Sequence, residues 1–333
     1  MTESTTLNNF QSDFFDGIVL TPAVPPPPLS FDFIHEERLG RAAIVVRNLL
    51  SQEECNEMIT FIDAHEHTPS SSSSLTGEEQ EKEQSKEQPR MTAASASPSH
   101  RNNQRLCISS PTLSSALLHR LRPVLTSLDE HEITCTADNA HKFLNKGFGM
   151  EGVWQIDSLN SCFRLCKYHP GGHFGPHYDS DFVVDPMQQR SLKTFMVYLN
   201  DSYEGGETNF VESHDLHFDK DRQIYCAPPE SVFAGLKARR GDCLVFDHLL
   251  LHEGQQVTQG QKYIIRSDLM YKKQEDEGEG EGGNDNTRRC RQREALTLFL
   301  AGAALEEEGH VDAAVQKYSR AFKICPEIED AYA

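Results

Sequence analysis

The spacing of apolar and polar residues along the chain changes period twice. After a proline-rich opening over residues 1 to about 40, containing Pro25 to Pro28 and few periodic apolar positions, AAIVV from Ala42 reads as a strand. Ser51 and Glu54 stand in capping-box spacing ahead of Cys55, Met58, Ile59 and Ile62, which recur at helical intervals. A second helix is predicted from Ser110 and Pro111, a cap and first-turn pair followed by Leu113, Leu117, Leu118 and Leu121. Between the two helices, residues 67 to 101 are rich in Ser, Glu, Gln and Lys and carry too little apolar surface to offset the entropy of ordering, so a disordered insertion is expected.

From Cys162 to Tyr271 the helical period gives way to short apolar or alternating runs, FRLCKY, TFMVYL, CLVF and KYIIRSDLMY, separated by Gly, Pro and Asp clusters. That is an all-β segment compatible with a barrel or jelly roll, and with the helices it gives an α+β fold with a mainly β core. The acidic, glycine-rich run EDEGEGEGG then marks a linker over 275–290, beyond which helical spacing returns. The expected organisation is a main domain over 41–274 and a helical hairpin over 291–333.

Composition narrows the function classes. The net charge of −19 is concentrated in glutamate-rich runs, which read as solvated linkers, and the short Arg288, Arg289, Arg291, Arg293 group is too small to track a phosphate backbone. Neither a nucleic-acid ligand nor a membrane is expected, since no run of about 18 apolar residues occurs. Nine scattered cysteines without a C-x-x-C pair indicate thiols in a reducing compartment. With no signal-peptide pattern at the N-terminus, a cytoplasmic or nuclear location is the expectation.

Within the β segment, His177 and Asp179 are two residues apart, a spacing that points both side chains to one face of a strand. His252 ends another apolar run, where a third ligand from a neighbouring strand is expected. Two histidines and one carboxylate on one face of a metal leave positions open, the arrangement suited to non-haem Fe(II) and O2 chemistry. Lys262, at the start of the next predicted strand, is a cation of the kind a buried dicarboxylate cosubstrate needs. Arg266 is its rival, four residues along on the same face. His169, His173, His214, His217 and His248 are read as surface or hydrogen-bonded residues, with His173 and His248 the useful controls.

Tyr168 with Gly171 and Gly172, His177-Tyr178-Asp179, TFMVYLNDSYEGGETNF, GDCLVF and HEGQQVTQGQKY together resemble the catalytic domain of prolyl 4-hydroxylase-like 2-oxoglutarate oxygenases, over roughly residues 160 to 271. The resemblance implies a double-stranded β-helix, with His177, Asp179 and His252 as iron ligands and Lys262 pairing with the C5 carboxylate of 2-oxoglutarate. It further implies that Tyr168 and Tyr198 line the cosubstrate pocket. O2 is then the second cosubstrate and ascorbate the reductant that rescues oxidised iron. The carboxylate at Asp179 implies hydroxylation rather than halogenation, of a C–H bond in a protein or peptide substrate with peptidyl proline as the leading case, releasing succinate and CO2. A small-molecule hydroxylase, and an inactive scaffold working through its helices, are the alternatives.

Residues 302 to 326 place Gly302, Gly309, Ala314, Tyr318, Ala321 and Pro326 at the spacings of one tetratricopeptide repeat (TPR). A single repeat cannot bury its apolar face alone. It is expected to dock on the β domain, to join a protein partner, or to belong to a longer product.

Overall fold

The β segment folds into two main sheets that face each other across a shared core, with two further two-stranded ribbons among the described residues. The computed structural model describes residues 29–33, 42–66, 91–93, 97–136, 139, 149–212, 217–274, 283–307 and 309–332. Among these, the larger sheet has eleven strands, running along its main path Ser30–Phe33, Ala43–Arg47, Cys243–Asp247, Gln189–Tyr198, Lys262–Lys273, Cys162–Tyr168, Gln104–Ser109 and Thr92–Ala93. The smaller has five, in the order Val232–Leu236, Thr208–Val211, His252–Gly254, His173–His177 and Arg101–Asn102. The pairings along both paths are antiparallel, as a mainly β jelly-roll core requires.

Residue parity divides the two faces of the large sheet. Phe163, Leu165, Phe195, Val197, Cys243, Val245, Tyr263 and Ile265 join the core that also contains Met58, Phe61, Leu117 and Leu121 from the helices Gln52–Ala64 and Pro111–Ser127. Their neighbours Cys166, Tyr168, Met196, Tyr198, Leu244, Phe246 and Ile264 form a second core with Phe210 of the smaller sheet. A period of two in sequence thus becomes one helix-covered face and one face turned to the small sheet.

Both helix starts follow the sequence reading. Ser51 Oγ accepts from the Glu54 N–H while Glu54 accepts from the Ser51 N–H, and Ser110 caps the helix that Pro111 opens. Arg120 clamps Glu54 with two hydrogen bonds of 2.9 and 2.7 Å, joining the helices.

Three expected irregular stretches contain structure. In the proline-rich opening, Ser30–Phe33 pairs with Ala43–Arg47 and extends the edge of the large sheet. At the end of the expected insertion, Met91 is buried, Thr92–Ala93 pairs with Gln104–Ser109, and Arg101–Asn102 pairs with His173–His177. Such short strands take their order from the sheet edge they join rather than from their own composition. Residues 67–90 of that insertion lie outside the described residues, as do 275–282 of the linker. The last helices begin earlier than expected, with Gly283–Glu307 running through Arg288, Arg291, Gln292 and Arg293, which are good helix formers.

Gly283–Glu307 packs against Val311–Ile324, and a Cβ at Gly302 would lie 2.8 Å from the Tyr318 ring, so the crossing needs glycine there. Ala295, Leu296, Ala321, Cys325 and Ile328 cluster with Met187 of the β domain, and Arg293 pairs with Asp185. Of the expected fates for this hairpin, docking on the β domain is the one observed. Among the described residues no helix is long and apolar enough to cross a membrane.

Candidate active site

The inward face of the sandwich brings His177, Asp179 and His252 together. His177 ends the strand His173–His177 and His252 begins His252–Gly254, and the two are direct cross-strand partners. Asp179 follows two residues beyond the strand, its N–H donating to the His248 carbonyl at 3.3 Å. One atom from each of the three residues lies within 4.8 Å of the others.

Each histidine is oriented by the backbone two residues upstream. His177 Nδ1 is 2.8 Å from the Gly175 carbonyl oxygen and His252 Nδ1 is 2.9 Å from that of Leu250. A carbonyl only accepts, so both rings carry their proton on Nδ1 and leave the Nε2 lone pair free. Phe174 stacks on His177 with centroids 3.5 Å apart, and Phe246 meets His252 edge-on at 4.7 Å. Burial, reinforced by His177, pulls the His252 pKa down to about 3, which keeps that ring neutral.

Burial alone would raise the Asp179 pKa, but Arg266 and the two histidines outweigh it and hold the carboxyl well below its ordinary range. Its Oδ1 lies 3.5 Å from His177 Nε2 and its Oδ2 3.7 Å from His252 Nε2. Oδ2 accepts a 2.6 Å hydrogen bond from Thr194. Oδ1 accepts none among the described residues, although Arg266 Nη2 is 2.6 Å away. Arg266 therefore acts on Oδ1 as a nearby charge rather than as an aimed donor. A buried carboxylate whose two oxygens lie towards one imidazole lone pair each is a donor set that fits a divalent metal of the Fe(II) type.

The pocket residues share this inward face. Lys262 is 3% exposed and donates to the Gly206 carbonyl at 2.7 Å. Gly206 has φ +69°, and a Cβ there would crowd Val257, Tyr203 and Lys262, so glycine lets that carbonyl approach. The ammonium sits 5.5 Å from the Tyr168 ring centroid and 5.4 Å from that of Tyr198. Burial lowers the Lys262 pKa to about 8 and pushes both tyrosine hydroxyls up. No carboxylate among the described residues pairs with Lys262, whereas Arg266 is already spent on Asp179.

The other histidines separate. His169 contacts Glu66, and His173 Nε2 lies 3.0 Å from the Ser99 carbonyl oxygen. His217 is exposed in a hairpin, and His214 lies outside the described residues. His248 is not in the metal cluster but is wired to it: Nδ1 lies 2.9 Å from Thr194 Oγ1 and Nε2 lies 2.8 Å from Ser191 Oγ. Burial lowers its pKa, keeping the ring neutral. The sequence reading missed Thr194, whose signal was available: it shares parity with Met196 and Tyr198, so a hydroxyl was bound to face inward.

Comparison with known proteins bears on the same segment. Residues 163–267 match the 2OG-Fe(II) oxygenase superfamily. A PKHD-type hydroxylase of Hyphomonas neptunium is 29% identical over 102 residues, covering 29% of this chain and 38% of that protein. The Arabidopsis thaliana protein named Probable prolyl 4-hydroxylase 9 is 28% identical over 118 residues, covering 32% of this chain and 40% of the relative. The chain thus spans about two fifths of the length of the curated relatives it matches. Among solved structures, the viral collagen prolyl hydroxylase of Paramecium Bursaria Chlorella virus-1 aligns with TM-score 0.36 and 18% identity, over 70% of this chain and 97% of that one. A Pseudomonas putida prolyl-4-hydroxylase aligns with TM-score 0.37 and 13% identity, over 70% and 93%. The match to the 2OG-Fe(II) oxygenase superfamily is thus confined to residues 163–267, the segment that carries His177, Asp179 and His252.

Proposed function

We propose that the chain is an Fe(II)- and 2-oxoglutarate-dependent hydroxylase in which His177, Asp179 and His252 hold the metal. The observation that carries this reading is the buried Asp179 carboxylate with Oδ1 towards His177 Nε2 and Oδ2 towards His252 Nε2, on the same inward face as a buried Lys262 that no carboxylate among the described residues pairs with. When bound, the iron and its cosubstrates supply the oxidising chemistry that activates a C–H bond.

The protein's own residues have separable tasks. Lys262 pairs with the far carboxylate of 2-oxoglutarate, which would otherwise be buried unpaired at high cost. It is a better anchor than Arg266 because no carboxylate among the described residues forms an ion pair with it, whereas Arg266 is paired with Asp179. Tyr168 and Tyr198 wall this end of the pocket, and the Tyr198 hydroxyl, 2.7 Å from Thr208 Oγ1, keeps the ring fixed. The apolar inward residues Met196, Phe210 and Phe246 exclude water from the reacting centre.

Similarity to the Arabidopsis relative, named a probable prolyl 4-hydroxylase, supports a peptidyl proline as the substrate; release of succinate and CO2, and ascorbate as reductant, are part of the same proposal. The test is 2-oxoglutarate turnover to succinate with Fe(II) and ascorbate, beside a His177→Ala control, with and without proline-containing peptides. Succinate that depends on His177 and rises with peptide supports the whole reading. A purified protein that neither binds Fe(II) nor makes succinate overturns it.

A further inference from the structure

The hydrogen bonds around Asp179 form one directed chain, and its proton positions follow from donor and acceptor accounting. The ionised Asp179 carboxylate can only accept, so the Thr194 hydroxyl gives its single proton to Oδ2. Thr194 Oγ1 must then accept from His248, which places the ring proton on Nδ1. In the neutral ring Nε2 is bare and accepts from the Ser191 hydroxyl. Ser191 Oγ in turn accepts from the Phe182 N–H at 2.7 Å. Every donor in the series Phe182, Ser191, His248, Thr194 points towards the carboxylate, so each bond polarises the next.

The three side chains of the series are buried: Ser191 and Thr194 are 0% exposed and His248 is 3% exposed. It also closes on itself, because the Asp179 N–H donates to the His248 carbonyl and the Ser191 N–H to the Phe182 carbonyl. His248 therefore grips Asp179 through both backbone and side chain and ties down the segment that follows it. Holding Oδ2 on Thr194 leaves Oδ1 as the oxygen that faces His177 Nε2.

We propose that His248 is a positioning residue which, through Thr194, fixes the rotation of the Asp179 carboxylate and so holds Oδ1 towards His177 for the metal. This rests on the metal-site reading above. It adds residues outside the ligand triad and a direction of hydrogen bonding that the triad does not specify.

The experiment uses Co(II) as the probe on the full chain, following affinity by titration and ligand geometry by visible absorption, with circular dichroism melts reporting folding. Thr194→Val removes the hydroxyl at nearly constant volume, Thr194→Ser keeps it, His248→Phe fills the ring space without nitrogen, and His248→Asn supplies an N–H near Nδ1. Thr194→Val and His248→Phe should each weaken Co(II) by about 10–100-fold and alter the spectrum. Thr194→Ser should bind as wild type and His248→Asn should recover most of the loss. The double variant Thr194→Val with His248→Phe should lose no more than the worse single one, because both break one chain.

A folded Thr194→Val protein with wild-type Co(II) affinity and spectrum overturns the inference, as do losses that simply add in the double variant. Co(II) binding that survives His177→Ala at wild-type affinity overturns the metal site itself. Because that outcome is read from His177 and not from Thr194 or His248, the two failures are distinguishable.

Discussion

On the outward face of the central strands, Phe163, Leu165, Phe195, Val197 and Ile265 pack under two helices. One residue along, the inward face carries Arg164, Thr194, Lys262 and Arg266 among its apolar positions. Both faces are buried, but they bury different chemistry. The outward face gains by removing apolar surface from water, whereas the inward one holds charged and hydroxyl groups, of which Arg164, Arg266 and Thr194 are already paired and Lys262 is buried with only the Gly206 carbonyl as its hydrogen-bond partner among the described residues. The same strands thus stabilise the fold on one side and hold a prearranged site on the other, where the buried Lys262 charge is the costly group.

The sharpest way to break this contrast is an outward truncation. Phe195 is fully buried, and Phe195→Ala should cost about 3–5 kcal/mol of stability, read from the shift in a urea unfolding midpoint. The protein that remains folded should bind Co(II) with unchanged affinity, since Thr194 and Met196 on either side face the other way. Altered metal affinity in the folded variant would show that the two faces are not independent.

The inward counterpart is Lys262→Met. Removing one partner of a buried charge pair should raise the KM for 2-oxoglutarate by roughly 10²–10³-fold. The melting temperature of the unliganded protein should rise rather than fall, because the ammonium is buried and no carboxylate among the described residues pairs with it. A KM unmoved by Lys262→Met but raised by Arg266→Gln would transfer the anchoring role to Arg266.

Titration of the same lysine gives a subtler separation. Its pKa in the unliganded protein is lowered from 10.5 to about 8, so the free site is cationic below that value and loses its charge above it. A dianion binds the charged form, so the KM for 2-oxoglutarate should be flat below pH 8 and rise by about tenfold per unit above it. The stability of the unliganded protein runs the other way. The unfolded chain binds the lysine proton more tightly than the folded one, so stability increases with pH between about 8 and 10.5. Lys262→Met should abolish both slopes.

Parity explains why much of this was legible in the sequence. Alternating runs announced the strands, and two-residue spacing put His177 and Asp179 on one face, so the sequence reading had already chosen the three residues that the fold brings together. Pairings that depend on distant chain were not legible. Ser30–Phe33 and Thr92–Ala93 become strands only because a sheet edge is offered to them. The Arg266 contact with Asp179 and the His248 link through Thr194 join different strands, so spacing along one strand reveals neither.

The smallest expected effect marks the far limit of the outward layer. Ser51 caps the helix Gln52–Ala64, whose buried Met58 and Ile62 cover the large sheet on the side away from the metal residues. Ser51→Ala leaves the Glu54 N–H without its side-chain acceptor, while Glu54 itself remains clamped by Arg120. The loss is therefore confined to one capping bond, about 1 kcal/mol, or about 2–4 °C in melting temperature. Neither Co(II) affinity nor the KM for 2-oxoglutarate should change, because the cap touches only the helix layer and the outward core lies between it and the inward residues. A change in either constant at so small a loss of stability would mean that the helix layer sets the register of the strands beneath it, and the division between stabilising and functional faces would have to be redrawn as one cooperative unit.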